Sequence, residues 1–499
     1  MKKFVQYLPF FVALIFWVTF RSFFFHQVGD DSFIYFRYVE RALAGHWWSW
    51  SDHVPAVEGY SSPLWYVLLI ASGRAGLAVQ SAAQWWGTFF SFMTLLGLWR
   101  LARLLNVSAF LSGVACFLLS INYGMGYWGS SGLETSMYAA LLVWACIGII
   151  RERFWLLPVS LIGIARPEGM FLLPAILLAM WIVKREVFPL KHLFACLIPT
   201  LLWLLLRLFV YHDLLPNTFY AKATGGLFSQ IERGVFYCLP VLLPLLIFWG
   251  IWWKHRHSSL MIVLGMISML MGIVLLGGGD WMFHFRLLVP MYALVFAVYV
   301  TQWSMVKIPG RLLLVMTVVP LLLLSVPLSY WGPAFKGKAL PVLDYQEGNM
   351  THMSMVLGRV IEERYPPHTL VAVNHAGALP WVLPDFDFID MTGLNDGHIA
   401  RQKGSLHHKY DVDYVLASKP ELIVLNTRVR PGTDDIWYHK GYWAGEDVLV
   451  DNPEFVRDYT PTDLVAGWHW HVPELYLYLF SQLLKNAESS WIVVYQRRH

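Results

Sequence analysis

Long apolar runs, separated by short charged segments, constrain this chain more than any other feature of its sequence. A helix needs about 20 apolar residues to cross a bilayer, and the chain is 57% hydrophobic and only 14% charged. That balance excludes an ordinary soluble globular protein. We predict about eleven transmembrane helices, the fifth and sixth forming a pair broken at 166–169: 5–24, 83–104, 107–124, 134–150, 154–165, 169–183, 193–211, 234–253, 259–278, 285–303 and 310–330.

Basic residues at alternate ends of these runs indicate the orientation. They cluster on one side: Lys2/Lys3, Arg100/Arg103, Arg151/Arg153, Lys184/Arg185/Lys191, Lys254/Arg256 and Lys307/Arg311. Because short cytoplasmic loops carry an excess of Lys and Arg, we predict a cytoplasmic N-terminus and an exported first loop at about 26–82. The apolar segment 62–79 would invert this orientation as a crossing, so we interpret it as a juxtamembrane or re-entrant helix. No small-residue cleavage site follows the first run, which predicts an uncleaved span.

Charge and residue pattern divide the chain near residue 331. The first 330 residues hold 22 Lys and Arg against 12 Asp and Glu, whereas the remainder holds 15 against 21. The remainder contains short β-like runs such as TLVAVNHAG, ELIVLNT and SWIVVYQR, between polar helical segments and turns, a pattern typical of a small α/β domain. We therefore predict a transmembrane domain at 1–330 and a soluble α/β domain at 331–499. All four cysteines lie in apolar segments, so no disulfide is predicted.

The carboxylates of the transmembrane domain collect on one side of the predicted bilayer. Ten of its twelve acidic residues lie outside or at the outer interface: Asp30, Asp31, Glu40, Asp52, Glu58, Glu134, Glu168, Asp213, Glu232 and Asp280. An odd number of crossings places the soluble domain on that side too, so we expect the chemistry there. The sequence has no Walker loop, GxGxxG or CxxC motif, and neither nucleotide nor nucleic-acid binding is predicted.

Two adjacent carboxylates, Asp30 and Asp31, follow the first span directly. Adjacent aspartates repel when both are ionised, so such a pair tends to bind cations or to hold one carboxyl group at a raised pKa. The alternative is that the pair only caps the helix predicted for SFIYFRYVERALAG, because Asp is a favoured N-cap residue. The spacing alone leaves both interpretations open.

Further motifs lie at the outer ends of the spans and in the soluble domain. They are DDSFIYFRY at 30–38, VEGYSSPLW at 57–65, SGLET at 131–135, RPE at 166–168, LPNTFYAK at 215–222, GGGDWMFHFR at 277–286 and NHAGALPWVLPDFDFIDMTGLNDGHIAR at 374–401. Together they resemble motifs of the GT-C superfamily of membrane glycosyltransferases. The resemblance is closest to the polyprenyl-phosphate-dependent arabinofuranosyltransferase-like branch, which includes cell-wall and pilin arabinofuranosyltransferases.

This resemblance implies an α-helical polytopic membrane protein of the GT-C fold in a bacterial inner (plasma) membrane, with a C-terminal periplasmic α/β domain. It implies a pentosyl- or hexosyltransferase that moves a sugar, D-arabinofuranose in the closest branch, from a polyprenyl-phosphate donor to an exported glycan or a protein such as pilin. A transporter or flippase of lipid-linked glycans is the alternative. Transporters place essential charges near mid-membrane, whereas these carboxylates lie at outer span ends, which favours the enzyme.

Within the resemblance, the aspartate of the first exported loop is the general base, and Asp30 or Asp31 occupies that position. We favour Asp30, with Asp31 orienting a partner or a metal. Cations are expected at the leaving phosphate, and the candidates are Arg166, Lys222, His284 and Arg286. The alternative for an arginine at a span end is that its guanidinium only reaches the membrane interface.

Other polar residues of these motifs are candidates for binding the sugar or the acceptor: Arg37, Glu58, Tyr60, Glu134, Glu168, Asn217, Asp280, His375, Asn395, Asp396 and His398. His375 stands where the family usually has Asp. The alternative for Asn395 and Asp396 is a capped turn. The mechanism requires no cofactor, and no metal ligands are predicted because the histidine pairs at 407–408 and 469–471 lack further ligands; a divalent metal is the alternative.

Overall fold

The computed structural model describes residues 5–25, 27–184, 190–222, 226–255, 258–280, 282–305, 346–404, 408–427, 438, 443–468 and 490–498. The predicted span at 310–330 and the predicted domain boundary at 331 lie outside the described residues. Both therefore stay predictions.

Helices form most of the described structure before residue 306. Their bounds are α1 Leu8–Phe24, α2 Asp30–Leu43, α3 Pro63–Arg74, α4 Val79–Leu104, α5 Ala109–Ser120, α6 Tyr123–Trp128, α7 Thr135–Arg151, α8 Leu156–Ala165, α9 Pro167–Lys184, α10 Leu190–Tyr211, α11 Asn217–Lys222, α12 Leu227–His255, α13 Ser258–Leu276 and α14 Tyr292–Met305. Two 3₁₀ turns, Phe283–Phe285 and Val289–Met291, precede α14. Every predicted span within the described residues overlaps one of these helices.

Among the described residues, two helices are long and apolar enough to cross a membrane unaided: Lys191–Tyr211 within α10, and α13. A third is obtained if Phe228–Leu242 and Pro244–Gly250, the parts of α12, form one span bent by 59°. Proline lacks the amide hydrogen that continues the helical ladder, which explains a bend at Pro244. Other apolar helices are shorter, at 10–17 residues. The count of about eleven crossings is not confirmed and stays a prediction.

Helix α3, inside the apolar segment 62–79, has only 12 residues. At 1.5 Å per residue it is about 18 Å long, well short of a hydrocarbon core of about 30 Å. Ser62 begins the helix, and its hydroxyl accepts a hydrogen bond from the Trp65 N–H at 3.2 Å. Helices α5 and α8, which overlap predicted spans, have 12 and 10 residues, so length does not distinguish α3 from them. The interpretation of 62–79 as a juxtamembrane or re-entrant helix stays a prediction.

A single non-helical residue, Arg166, separates α8 from α9. Arg166 has an extended backbone (φ −159°, ψ 156°), and Pro167 starts α9 at a position where a missing amide hydrogen costs nothing. A Cβ at Gly169 would lie 1.9 Å from the Ile162 carbonyl oxygen, so the two helices approach this closely only with glycine there. The break turns the Arg166 side chain out of both helices.

Residues 346–498, the C-terminal domain, contain a five-stranded mixed sheet in the order β2-β1-β3-β5-β4. Its elements are α15 Gln346–Arg364, β1 Leu370–Val373, α16 Ala378–Val382, β2 Asp387–Asp390, α17 Gly397–Ala400, α18 Val412–Ala417, β3 Leu422–Thr427, α19 Ala444–Val450, α20 Pro453–Asp458, β4 Tyr459–Trp468 and β5 Ser490–Arg497. Strand β1 pairs in parallel with β2 and β3, while β5 pairs antiparallel with β3 and β4. The three β-like runs of the sequence form β1, β3 and β5; β2 and β4 were not predicted.

Helix α2 joins the C-terminal domain to the rest of the fold. Arg37 is 2% exposed and donates hydrogen bonds to the carbonyl oxygens of Trp50, Pro380, Leu383 and Phe386. A buried guanidinium is tolerated when its donors are satisfied in this way. The predicted role of Arg37 in sugar or acceptor binding is not supported by this position.

Helix α11 makes a second connection. The Asn217 side-chain amide donates to the carbonyl oxygens of Gly393 and Leu394, both at 2.9 Å. Arg401 donates to both carboxylate oxygens of Asp213 at 2.7 Å. These contacts hold the turn after β2 against α11.

Candidate active site

A cavity of about 490 Å³ lies where the first turn of α2 meets the starts of α7 and α9, the end of α11 and the glycine-rich turn after α13. This volume is typical of small-molecule sites. The apolar part of its wall consists of Ile34, Leu133, Pro167, Phe171, Phe219, Ile273, Val274, Leu276, Leu287 and Leu394. The remaining wall is strongly charged.

Predicted site residues form that charged wall. Eight of them line the cavity: Asp31, Tyr60, Glu134, Arg166, Glu168, Lys222, Asp280 and Arg286. They come from motifs that lie far apart in the sequence, and the fold brings them to one space. Four carboxylates and three cations give this wall a formal charge of −1.

The two adjacent aspartates have different surroundings. The Asp31 side chain is 24% exposed, and its Oδ2 lies 3.7 Å from Arg286 Nη1. Asp30 does not line the cavity; it is 8% exposed, and its Oδ1 accepts a hydrogen bond from the Ala378 N–H at 2.8 Å. Consecutive side chains on a helix diverge by about 100°, which separates the two environments. The N-cap of α2 is Gly29, with no side-chain cap, so neither aspartate is the capping residue.

Burial raises the pKa of the Asp30 carboxyl group to about 7. The N–H groups of Ala378 and Gly377 oppose this shift because they stabilise the carboxylate, while the charge of Asp31 adds to it. The native protein consequently binds a proton at Asp30 more tightly than the unfolded chain does.

This pKa predicts a pH dependence of stability. Since the pKa is raised on folding, the free energy of unfolding decreases as the pH rises from about 4 to about 7. Asp30→Asn is expected to make that dependence shallower, because Asn does not titrate. Thermal unfolding of both proteins in the same detergent at a series of pH values measures the difference. Equal slopes for the two proteins would contradict the assigned burial of Asp30.

Arg166 holds two carboxylates at the cavity wall. Its Nη1 lies 2.5 Å from Glu134, and its Nε and Nη2 each donate to Glu168 at 3.1 Å. The Tyr35 hydroxyl donates to the same Glu134 at 3.2 Å. Three nitrogens of the guanidinium thus already bond to carboxylates. Arg166 therefore has fewer donors for a phosphate than was predicted from the sequence.

Arg286 connects the glycine-rich turn to the aspartate pair. Its Nε and Nη2 lie 2.7 Å from Asp280 Oδ2, and its Nη1 faces Asp31. Gly279, just before Asp280, has φ +76° and would place a Cβ 2.6 Å from the Tyr237 ring. The tight turn therefore depends on glycine and directs the Asp280 carboxylate to Arg286.

Lys222 is the cavity cation without a carboxylate partner among the described residues. Burial lowers the pKa of its amino group, and Arg286 adds to this effect, while Asp280 and Asp31 oppose it at longer range. A desolvated ammonium group without an ion pair is costly. An anion in the cavity would relieve that cost.

Three other predicted residues from the part of the chain before residue 306 do not line the cavity. Glu58 is 1% exposed and pairs with Arg207, and it also accepts from Trp203 at 3.1 Å. Asn217 contacts the C-terminal domain as described above. His284 is buried beside the rings of Tyr123 and Tyr127, so a direct contact with a phosphate in the cavity is not supported.

The predicted residues of the C-terminal domain lie outside the cavity as well. Asp396 caps α17 by accepting from the His398 and Ile399 N–H groups, which agrees with the alternative of a capped turn. His398 lies 2.7 Å from the Asp411 carboxylate. Asn395 donates to Asp390 at 2.8 and 2.9 Å. These contacts all join residues within the C-terminal domain.

His375 is also internal to the C-terminal domain. Its Nε2 lies 2.6 Å from the Asn426 side-chain oxygen. Burial lowers the pKa of the imidazole to about 4, which the bond to Asn426 opposes. His375 is bonded to Asn426 and does not line the cavity, so its role in binding the acceptor stays a prediction.

Several of the residues that line the cavity were not identified from the sequence. Tyr35, Ser61 and Gln230 are polar and line the cavity. Tyr35 and Ser61 lie inside quoted motifs, so the motifs themselves carried a signal for both. Gln230 lies in α12 outside every motif, and no pattern singled it out.

The carboxylates of the cavity do not form a metal-binding cluster with other described side chains. No group of three or more His, Cys, Asp or Glu side chains with metal-binding geometry occurs within the described residues. The carboxylates of the cavity instead pair with Arg166 and Arg286.

The fold is similar to that of two kinds of solved structure. The structure is similar to ArnT from Cupriavidus metallidurans bound to undecaprenyl phosphate, with a TM-score of 0.51 and 12% identity over 84% of this chain and 92% of that one. It is also similar to the oligosaccharyltransferase of Archaeoglobus fulgidus in the apo form, with a TM-score of 0.50 and 12% identity over 84% of this chain and 69% of that one. These similarities show that the chain shares the fold of these two proteins. Two of its described helices are also long and apolar enough to cross a membrane.

Sequence comparison adds one match. Residues 344–497 match a family model described as a domain of unknown function, DUF8728. No curated protein matches the chain.

Proposed function

We propose that this protein is an integral-membrane glycosyltransferase that transfers a sugar from a polyprenyl-phosphate donor. The observation that carries the proposal is the cavity in which Asp31 lies beside Arg286 and the half-buried Lys222, a cation without a carboxylate partner among the described residues. The solved ArnT structure with undecaprenyl phosphate has the same fold, which supports a lipid-linked donor.

Asp31 is the general base in this proposal, in place of Asp30. The acceptor hydroxyl attacks the anomeric carbon and passes its proton to the Asp31 carboxylate. The bond between the anomeric carbon and the phosphate oxygen breaks, and its electron pair leaves on the phosphate. A positioned carboxylate is suited to this step, and Asp31 is the member of the pair that reaches the cavity.

Lys222 and Arg286 bind the leaving phosphate. Negative charge grows on that group as the bond breaks, so nearby cations stabilise the transition state more than the bound donor. Lys222 has no carboxylate partner among the described residues, and the phosphate would supply its anionic partner. Arg286 stays paired with Asp280 and turns its remaining donors to the phosphate.

The polyprenyl chain leaves the cavity through an apolar opening. Phe171, Phe219 and Leu276 line the cavity and are also 53%, 43% and 53% exposed. Large apolar side chains shared between a cavity and the outer surface suit a hydrocarbon tail that continues into lipid. Glu134, Glu168 and Tyr60 are then left to accept hydrogen bonds from the sugar hydroxyl groups.

The motif resemblance supports finer parts of the proposal. We assign D-arabinofuranose as the sugar and an exported glycan or a protein such as pilin as the acceptor. The protein lies in the bacterial inner membrane, with its N-terminus cytoplasmic and its C-terminal domain periplasmic. The basic clusters and the acidic outer loops of the sequence support this orientation.

Polyprenyl phosphate, the expected product, should stabilise the purified protein. At about 100 times its Kd the ligand adds about 2.7 kcal/mol to the free energy of unfolding, which is measurable as a rise in Tm. A polyprenol with the same tail but no phosphate is the control, and it should give a smaller rise because Lys222 stays unpaired. Equal shifts for alcohol and phosphate would contradict the phosphate site.

Transfer itself is tested with a synthetic polyprenyl-phosphoryl arabinofuranose and an acceptor extract. We expect release of polyprenyl phosphate together with labelled sugar on the acceptor. A transporter would instead move the intact donor across a liposome membrane with no release of polyprenyl phosphate, and that result would overturn the proposal.

A further inference from the structure

The C-terminal domain contacts the first turn of α2, one residue before the proposed base. The Ala378 N–H donates to Asp30 Oδ1 at 2.8 Å, and the Gly377 N–H also stabilises this carboxylate. A Cβ at Gly377 would lie 2.0 Å from the Asp30 carbonyl oxygen and 2.6 Å from its carboxylate. The backbone at 377–378 therefore fits onto Asp30 only because residue 377 has no side chain.

The segment before this contact is anchored inside the C-terminal domain. The Asn374 amide donates to Glu446 at 2.5 Å. Asn426, at the end of β3, donates its N–H and its side-chain amide to the same Glu446, both at 2.9 Å, and His375 bonds to Asn426. The segment 374–378 thus rests on a buried polar network and not on mobile surface contacts.

Helix α2 is held at a second point further along. Arg37 bonds to the carbonyl oxygens of Pro380 and Leu383. The Trp381 ring packs against Phe33, with ring centroids 4.9 Å apart. Together with Asp30, these contacts fix both the rotation and the tilt of α2 relative to α16.

We propose that the C-terminal domain positions the catalytic base: the backbone at Gly377–Ala378 holds Asp30, and this sets the direction in which Asp31 enters the cavity. Asp30 is then a positioning residue that acts through its neighbour. This inference rests on the proposed function, since it assigns a role relative to Asp31. It gives the C-terminal domain a part in the reaction although, among its described residues, only Leu394 lines the cavity.

Three variants test the contact by turnover and donor KM. Gly377→Ala inserts a methyl group against Asp30, and Asp30→Ala removes the acceptor. Both should lower kcat about 10- to 100-fold, the loss typical of a base displaced by about 1 Å, with donor KM changed far less because Lys222 and Arg286 are untouched. Asp30→Asn keeps the side-chain oxygen that accepts from Ala378 and should recover most of the kcat lost in Asp30→Ala.

Gly397→Ala is the matched control. It adds the same methyl group in the same domain, where the Cβ would lie 3.1 Å from Val57 and away from Asp30, and its kcat should match wild type. If Gly377→Ala fails to fold, the comparison of Asp30→Ala with Asp30→Asn decides the question.

The outcomes separate this inference from the proposed function. Wild-type protein without any transferase activity would overturn the proposed function. Active wild type, with Gly377→Ala equal to Gly397→Ala or with Asp30→Asn as defective as Asp30→Ala, would overturn only the positioning role.

Discussion

Asp31→Asn is expected to lower turnover about 10²- to 10⁴-fold, the range typical for loss of a general base. Asn cannot take a proton from the acceptor hydroxyl, yet it has the same shape, so donor binding should change little. Turnover with the synthetic donor and thermal shift with polyprenyl phosphate measure the two effects separately.

Asp30→Asn provides the matched control for that experiment. It makes the same chemical change one residue away, at a carboxyl group that faces Ala378 and not the cavity. We expect it to retain most of its turnover. If Asp30→Asn were the more damaging change, Asp30 would be the base and the assignment of roles within the pair would be reversed.

Lys222→Met should lower turnover about 10²- to 10³-fold, comparable to removing one preorganised donor from an anionic transition state. Methionine has a similar length and apolar stem but no charge, so it removes the cation without opening a void. Because Lys222 has no carboxylate partner within the described residues, its loss leaves no buried acid unpaired, and the fold should keep its Tm. The affinity for polyprenyl phosphate, measured by thermal shift, should decrease together with the turnover.

Lys409→Met is the control for the second prediction. Lys409 is 7% exposed, and its amino group donates to the carbonyl oxygens of Tyr220 and Ala400 at 2.6 and 2.9 Å. It lies near the same helix α11 but does not line the cavity. Lys409→Met should lower the Tm while the turnover of folded protein is preserved. Normal turnover in Lys222→Met would remove Lys222 from the phosphate site.

The sequence predicted the chemistry of the site better than its geometry. The motifs at 215–222 and 277–286 placed Lys222, Asp280 and Arg286 among the site residues, and all three line the cavity. The motifs carry the signal, because a lone cation at a span end often only reaches the membrane interface. The sequence could not show that Arg166 is already paired with two acids, since ion pairing depends on tertiary distances.

The sequence also could not show which of Asp30 and Asp31 is the general base, because that depends on tertiary contacts. Asp30 and Asp31 are chemically identical neighbours, and what separates them is the backbone of Gly377 and Ala378, far away in the sequence. Arg37, His375 and Asp396 show the same limit, because motif membership alone does not distinguish a ligand contact from a contact that builds the fold. For Asp396, the alternative of a capped turn agrees with the structure.

The hydrogen bonds from Arg37 to the C-terminal domain all go to main-chain carbonyl oxygens, although its guanidinium also lies over the Phe388 ring. The hydrogen bond to Asp30 comes from a main-chain amide. Backbone groups are the same for every amino acid, so the side chains at 380–386 can diverge without loosening these bonds. Chimeras that carry the C-terminal domain of another protein with the same backbone path should therefore still dock, provided that glycine is kept at 377. The side chains of this domain can therefore change in evolution while its hydrogen bonds to α2 stay constant.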